Sequence, residues 1–204
     1  MLRRIAFPAL VGFILLRLPA AAQEESDYVD FSDRITPTCE LIGLVGLPPE
    51  GWFNVPIEDT GEDLAGCQMM RTNESEELVG ILRLLSRVFP EGTPEETWFT
   101  EMLGVEVVWL GEMGITLGEP LWRKDDVNMA GTDWGQAKAI GLAAATNGSD
   151  TPQEVHFLAF GGPTNKYLFT LATPAETVDE GLYYKRNTAD FGILIRTLQF
   201  PASE

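Results

Sequence analysis

The chain has few of the residues that catalysis and metal binding usually require. Among its 204 residues the only histidine is His156, and the only cysteines are Cys39 and Cys67. A zinc site needs about four ligands, which these three soft side chains cannot supply alone. A serine or cysteine triad would have to use His156, which lies in a strand-like segment and is most simply an ordinary sheet histidine. Since nucleophile elbows, phosphate loops and dinucleotide fingerprints are also missing, we predict no catalytic residue and no cofactor.

Basic residues are scarce as well. The chain carries 14 lysines and arginines against 31 aspartates and glutamates, a formal net charge of −17. Nucleic acids and anionic membranes are bound mainly through lysine and arginine, so the composition argues strongly against both classes of partner. It favours basic partners or cations, and the expected partner is an unidentified protein or small ligand.

The long apolar run of the chain is confined to its N-terminus, where residues 1–22 are typical of a secretory signal. Arg3 and Arg4 precede the apolar residues 5–18, and three alanines at 20–22 offer a cleavage site. A proline and an arginine interrupt the run, which makes it a poor membrane span. Cleavage would leave eleven basic and 31 acidic side chains, a charge of −20. We therefore expect an exported protein, periplasmic or secreted, with no membrane span in the mature chain.

Two cysteines in an exported chain predict one disulfide, Cys39–Cys67. The entropy of closing a ring of about 29 residues would contribute roughly 3–4 kcal/mol. A metal pair and a reactive thiol are the alternatives. No cysteine stands at the cleavage site, which argues against a lipid anchor.

Composition divides the mature chain into an acidic leader, residues 23–39, and a single domain, residues 40–204. Short apolar runs bounded by turn residues predict strands at 40–47 and 68–71. Thr93-Pro-Glu-Glu96 has the pattern of a capping box with Thr93 as N-cap, and apolar residues then repeat at helical spacing to Gly111. This predicts a helix buried on the side of Trp98, Met102, Val105 and Trp109.

The segment 78–89 fits two periods. A helix would align Leu78, Ile81, Leu82, Leu85 and Phe89, whereas a strand would place the two arginines of the segment on one face. Gly80 weakens a helix by about 1 kcal/mol relative to alanine. The local pattern leaves both open.

The rest of the chain alternates with period two until its last segment. Strands are predicted at 114–123, 135–146, 154–160 and 166–173, with a charged turn at Asp125-Asp126 and a closing helix at 187–198. Short connections imply antiparallel pairing. The expected class is α+β, an antiparallel sheet covered by helices.

Three features resemble the PsbP/DcrB-like family of exported accessory proteins. Leu47-Pro-Pro-Glu-Gly-Trp52 is similar to its P-x-G-W entry, a helix follows a strand pair, and Phe191-x-x-Leu194-x-x-x-Leu198-x-Phe200 is similar to its terminal helix. Thr197 stands where that ending usually has serine. The resemblance implies an α-β-α sandwich over roughly residues 41–200, a strand at 78–89, and a binding or accessory role. It carries no catalytic residues.

Two groups of residues are weak candidates for a site. Trp122 and Trp134 flank an acidic stretch and would form a recognition surface, although core packing is the simpler interpretation. An acidic loop offers oxygen ligands for a divalent cation at Glu58, Asp59, Glu62 and Asp63, but it lacks the register of a calcium loop.

The expected function is that of an exported, non-enzymatic binding or accessory protein. The alternatives are a secreted hydrolase that uses acidic residues in a cleft, and a cation-binding accessory domain.

Asn73 and Asn147 match the glycosylation pattern, which matters only in a eukaryotic secretory pathway.

Overall fold

The computed structural model describes residues 36–39, 44–46, 50–55, 57, 64–128, 138–147, 151–161 and 165–197. All of them belong to one compact unit, residues 31–204. The predicted signal and the leader up to residue 35 lie outside the described residues, whereas the last four leader residues form a strand. The elements are β1 (Thr36–Cys39), β2 (Leu44–Gly46), β3 (Phe53–Val55), β4 (Leu64–Thr72), β5 (Leu78–Val88), α1 (Glu95–Glu112), β6 (Thr116–Asn128), β7 (Lys138–Asn147), β8 (Gln153–Gly161), β9 (Asn165–Pro174) and α2 (Leu182–Thr197).

Seven of these strands form one antiparallel sheet in the order β3-β4-β5-β9-β8-β7-β6, and β1 pairs with β2 in a separate antiparallel ribbon. Neighbouring strands follow each other closely along the chain except where β5 pairs with β9. β5 and β9 are therefore adjacent in the sheet, although α1 and the strands β6–β8 separate them along the chain. The predicted α+β class with an antiparallel sheet is therefore confirmed.

The ambiguous segment 78–89 is strand β5. The strand is central, and its residues from Val79 to Leu85 are all buried. Because both faces of a covered strand are apolar, the sequence shows a nearly continuous apolar run, and helical spacing arises within it by chance.

Each face of the sheet carries one helix and one core. Side chains at alternating positions of the strands point to opposite faces, so the two cores interleave along the same strands. One core packs against α1 and contains Ile81, Leu85, Phe99, Met102, Leu110, Phe157 and Leu168. The other packs against α2 and contains Met69, Leu82, Leu84, Leu158, Phe160, Phe169, Leu194 and Ile195.

The helix predicted from Thr93 exists, but the predicted capping box is wrong. The N-cap is Pro94, and no side chain caps the helix. The hydroxyl of Thr93 instead donates to the carbonyl of Pro90 at 2.7 Å, which closes the preceding turn. The Thr93 hydroxyl oxygen accepts no hydrogen bond from the first turn of the helix.

The buried side of α1 is also rotated from the predicted one. Trp98 and Met102 are buried as expected, whereas Val105 and Trp109 are only half-buried. Glu106 and Leu110 take the buried positions. A carboxylate in this stripe made the sequence pattern misleading.

The charged turn predicted at Asp125-Asp126 is wrong, because both residues lie within β6. This strand is the edge of the sheet, and most of its side chains are exposed. Charges on an edge strand discourage pairing with another chain, which explains their presence in a long strand.

Within the described residues, no helix combines the length and apolar character needed to cross a membrane.

Candidate recognition surface

The register of the sheet brings the single histidine next to an exposed tryptophan. His156 of β8 lies opposite Ala143 of β7, and Ala143 lies opposite Trp122 of β6. Residues in such a row share one face of the sheet, here the face that carries α2. The small side chain of Ala143 lets the two rings meet above it, with ring centroids 6.2 Å apart and planes tilted by 54°.

Gly141 provides the floor beneath Trp122. A Cβ atom at Gly141 would stand 2.9 Å from Cζ3 of the indole and 2.9 Å from Cγ2 of Val127. A larger residue would therefore displace the ring. The indole rests on the sheet on one side and is 40% exposed to solvent. Trp122 thus lies at the surface, with its orientation fixed by a glycine.

The third ring comes from the first turn of α2. Tyr184 lies 5.9 Å from His156 between ring centroids, with an interplanar angle of 50°. We call Trp122, His156 and Tyr184 the aromatic patch. Both outer rings are tilted from the imidazole plane, so neither stacks flat on it.

A left-handed turn fixes the start of α2. Asp179, Glu180 and Gly181 all have positive φ angles, 47°, 56° and 74°. A Cβ at the buried Gly181 would stand 3.0 Å from the carbonyl oxygen of Glu176. This turn lies between the end of β9 and α2, and Tyr184 follows it by three residues. α2 therefore begins five residues before the predicted 187, and sequence periodicity did not reveal Tyr184.

Carboxylates border the patch. Oε2 of Glu154 lies 3.5 Å from Nε2 of His156, two residues along β8 on the same face. Burial raises the pKa of Glu154, and the nearby Glu176 carboxylate raises it further, while a hydrogen bond with the Glu176 backbone opposes the rise. Burial lowers the pKa of His156, so the imidazole is neutral at pH 7. Burial and the two carboxylates raise the pKa of Tyr184. The patch is therefore a set of neutral rings beside acidic groups.

One cation of the chain lies beside this set. Nζ of Lys124 is 5.7 Å from the centroid of the Trp122 ring. Lys124 is exposed and lies opposite Gly141, on the same face as the patch.

A buried polar network anchors α2 close to the patch. Nη1 of Arg71 donates to Oδ1 of Asn187 at 2.7 Å, and Nη2 lies 2.6 Å from Oδ2 of Asp190. The indole of Trp52 donates to the same Asp190 oxygen at 3.1 Å. The Arg71 guanidinium lies 4.8 Å from the centroid of the Trp52 ring. Asn187 in turn donates to the backbone of β5. Every member makes a contact within the chain, so this network positions α2.

The opposite face holds a second buried charge pair, which the sequence did not reveal. Nε of Arg83 lies 3.3 Å from Oε1 of Glu106, and both side chains are almost fully buried. Desolvation raises the pKa of Glu106 to about 7, against the opposing effects of the nearby Arg83 and Thr170. The pair lies between α1 and the sheet, away from the aromatic patch.

The remaining predicted site residues are distributed as follows. The acidic loop Glu58, Asp59, Glu62 and Asp63 lies outside the described residues, as does Trp134. Among the residues that the structure does describe, no group of three histidine, cysteine or acidic side chains is arranged to hold a metal ion. Asn73 and Asn147 both lie at strand ends, and Oδ1 of Asn73 accepts hydrogen bonds from the backbone N–H groups of Ser75 and Glu77.

The cysteines lie on strands of the two separate sheets. Cys39 ends β1, and Cys67 lies in the middle of β4. The described part of the chain contains no free cysteine thiol. The Cys39–Cys67 pairing stays a prediction, because the side chain of Cys39 lies outside the described residues.

Comparison with known proteins gives little further information. No family model matches the chain, and no curated protein matches it. Its fold is similar to a crystal structure from Bacteroides thetaiotaomicron VPI-5482 determined at 1.50 Å resolution, with 11% sequence identity and a TM-score of 0.44. The similarity covers 79% of this chain and 46% of that one, so the chain matches less than half the length of that protein. The functional argument therefore rests on the patch.

Proposed function

We propose that the chain is an exported, non-enzymatic binding or accessory protein and that the aromatic patch is its recognition surface. The observation that carries the proposal is the exposed Trp122, held over Gly141 beside His156 and Tyr184. Aromatic side chains with one apolar face and a polar rim are enriched where proteins bind partners, because they bury a large area at low entropic cost. Export is supported by the character of residues 1–22.

The PsbP/DcrB-like resemblance is part of the same proposal. The packing of Trp52 and Phe191 supports it, because these residues come one from each segment that carries the resemblance and both contact the same core.

A pull-down tests the binding role. The mature chain, carrying a purification tag without histidine, is exposed to the exported fraction of the native organism, and captured proteins are quantified by mass spectrometry. Trp122→Ala and Tyr184→Ala are expected to lose a specific partner that the wild-type chain retains.

Two neighbouring variants are matched controls for that experiment. Leu121 directly precedes Trp122 in β6 and is 51% exposed. Tyr183 directly precedes Tyr184 in α2 and is half-buried, like Tyr184. Leu121→Ala and Tyr183→Ala should retain the partner. Equal capture by all variants would contradict a recognition role for the patch, and turnover of a hydrolase substrate abolished by Glu154→Gln would contradict the non-enzymatic assignment.

A further inference from the structure

We propose that the aromatic patch binds a lysine or arginine side chain in a basic segment of a partner protein. This inference rests on the proposed function, because it names the partner chemistry of the same surface. It commits to a cation, whereas the binding role alone would also allow an apolar or anionic partner.

The rings supply the first part of the argument. The faces of indole, phenol and neutral imidazole carry negative electrostatic potential, and a cation within about 6 Å of a ring centroid is attracted to it. Trp122 of the sheet lies 6.2 Å from the imidazole between ring centroids, and Tyr184 of α2 lies 5.9 Å from it. The 5.7 Å distance from Lys124 to Trp122 is already a contact of this kind within the chain.

The carboxylates supply the second part. Glu154 lies 3.5 Å from the imidazole, and its side chain is 19% exposed, so a group entering the patch would reach it. Glu176 stands close enough to Glu154 and Tyr184 to disfavour their negative forms. A cation placed there would reduce the repulsion between the two carboxylates. An anion would meet both carboxylates and is disfavoured by the same charges.

The charge of the whole chain points the same way. A net charge of −17 attracts basic partners over distances of about a Debye length and raises the rate at which they meet the protein. Lysine and arginine are the side chains that combine a positive charge with an apolar stem long enough to cross a ring. The local and overall charges are therefore complementary to a basic segment.

The single histidine makes a sharp experiment available. Because the chain contains one histidine, the Cε1–H resonance of its imidazole reports on the centre of the patch without assignment of the spectrum. The untagged mature chain is titrated at neutral pH with a capped glycine–serine peptide that carries a central run of lysines, then with one that carries arginines. A peptide with glutamines in their place is the neutral probe. The basic peptides should shift the His156 resonance saturably, and the glutamine peptide should not.

Two charge variants predict opposite changes. Lys124→Gln removes a competing cation and should tighten binding of the lysine peptide by about threefold. Glu154→Gln removes an attractive charge and should weaken it by at least about threefold. Trp122→Ala should abolish the shift, and Leu121→Ala should leave the affinity unchanged. Circular dichroism and the melting temperature establish that each variant is folded.

The outcomes separate this inference from the proposed function. If the glutamine peptide binds as well as the lysine peptide, or if Lys124→Gln leaves the affinity unchanged or weakens it, the patch does not select a cation and the inference is overturned. The inference is also overturned if no basic peptide moves the His156 resonance. In each of these cases the pull-down still decides separately whether the patch recognises a partner.

Discussion

Glu106 should make the stability of the protein fall as the pH rises. Its side chain is fully buried between α1 and the sheet, where Arg83 lies 3.3 Å away and Thr170 stands opposite Arg83 in the neighbouring strand. Burial raises the pKa of Glu106 from 4.5 to about 7. For an acid with a raised pKa, the contribution to stability is complete below the unfolded-state value and is lost as the pH rises through the folded-state value.

The size of this effect follows from the shift. Each pKa unit corresponds to about 1.4 kcal/mol, so Glu106 lowers the free energy of unfolding by about 3 kcal/mol between low and high pH. The loss is expected between pH 4.5 and slightly above pH 7, the two pKa values of the group. Arg83 is positively charged throughout this range and contributes no slope of its own.

Urea denaturation of the wild-type chain and of Glu106→Gln, each across this pH range, measures the effect. Glutamine keeps the shape of the side chain and does not titrate. The difference in unfolding free energy between the two proteins should therefore change by about 3 kcal/mol in favour of the variant as the pH rises. Glu101→Gln is the matched control, because Glu101 is on the same helix at the same 3.3 Å from an arginine but is 49% exposed. Its profile should follow the wild type within about 1 kcal/mol. Parallel profiles for Glu106→Gln and the wild type would refute the reasoning, because Glu106 would then bind its proton equally well in the folded and the unfolded states.

Three further substitutions test the packing. Gly80→Ala would place a Cβ 2.8 Å from Trp52 and 2.9 Å from Asn187, and should lower the unfolding free energy by about 1–3 kcal/mol in a urea titration. Gly104→Ala, where nothing lies within 4 Å in the middle of α1, should instead raise it by up to about 1 kcal/mol, and the same sign for both variants would contradict the packing described. Cys67→Ser should lower it by about 3 kcal/mol if the predicted disulfide forms, and intact mass after alkylation, with and without reductant, would reveal free thiols if it does not.

Local sequence patterns predicted most of the elements because burial on one face imposes a period on the chain. The β7, β8 and β9 strands and the α1 helix follow from such periods, with ends displaced by a few residues. The local sequence did not predict that β5 is a strand, because a strand covered on both faces shows no alternation of apolar and polar residues. The charges of β6 were mistaken for a turn, since an edge strand is exposed and tolerates them.

The site was less accessible to sequence reasoning because its parts are far apart along the chain. Trp122 was a candidate from its acidic surroundings, and His156 was assigned to a strand. Tyr184 joins them only through the left-handed turn at Asp179–Gly181 and the packing of α2. The register across Ala143 is also a long-range property. The burial of Glu106 was not predicted for a different reason. A charged residue of a helix is normally assigned to the face exposed to solvent.

The measurement that tests the central claim most directly is the affinity of the lysine peptide for Lys124→Gln relative to the wild-type chain, followed through the His156 resonance. A cation-selective patch predicts about threefold tighter binding after this substitution, because a positive charge beside Trp122 has been removed. Unchanged or weaker binding would contradict the account, since Lys124 would then not compete for the surface that the peptide occupies.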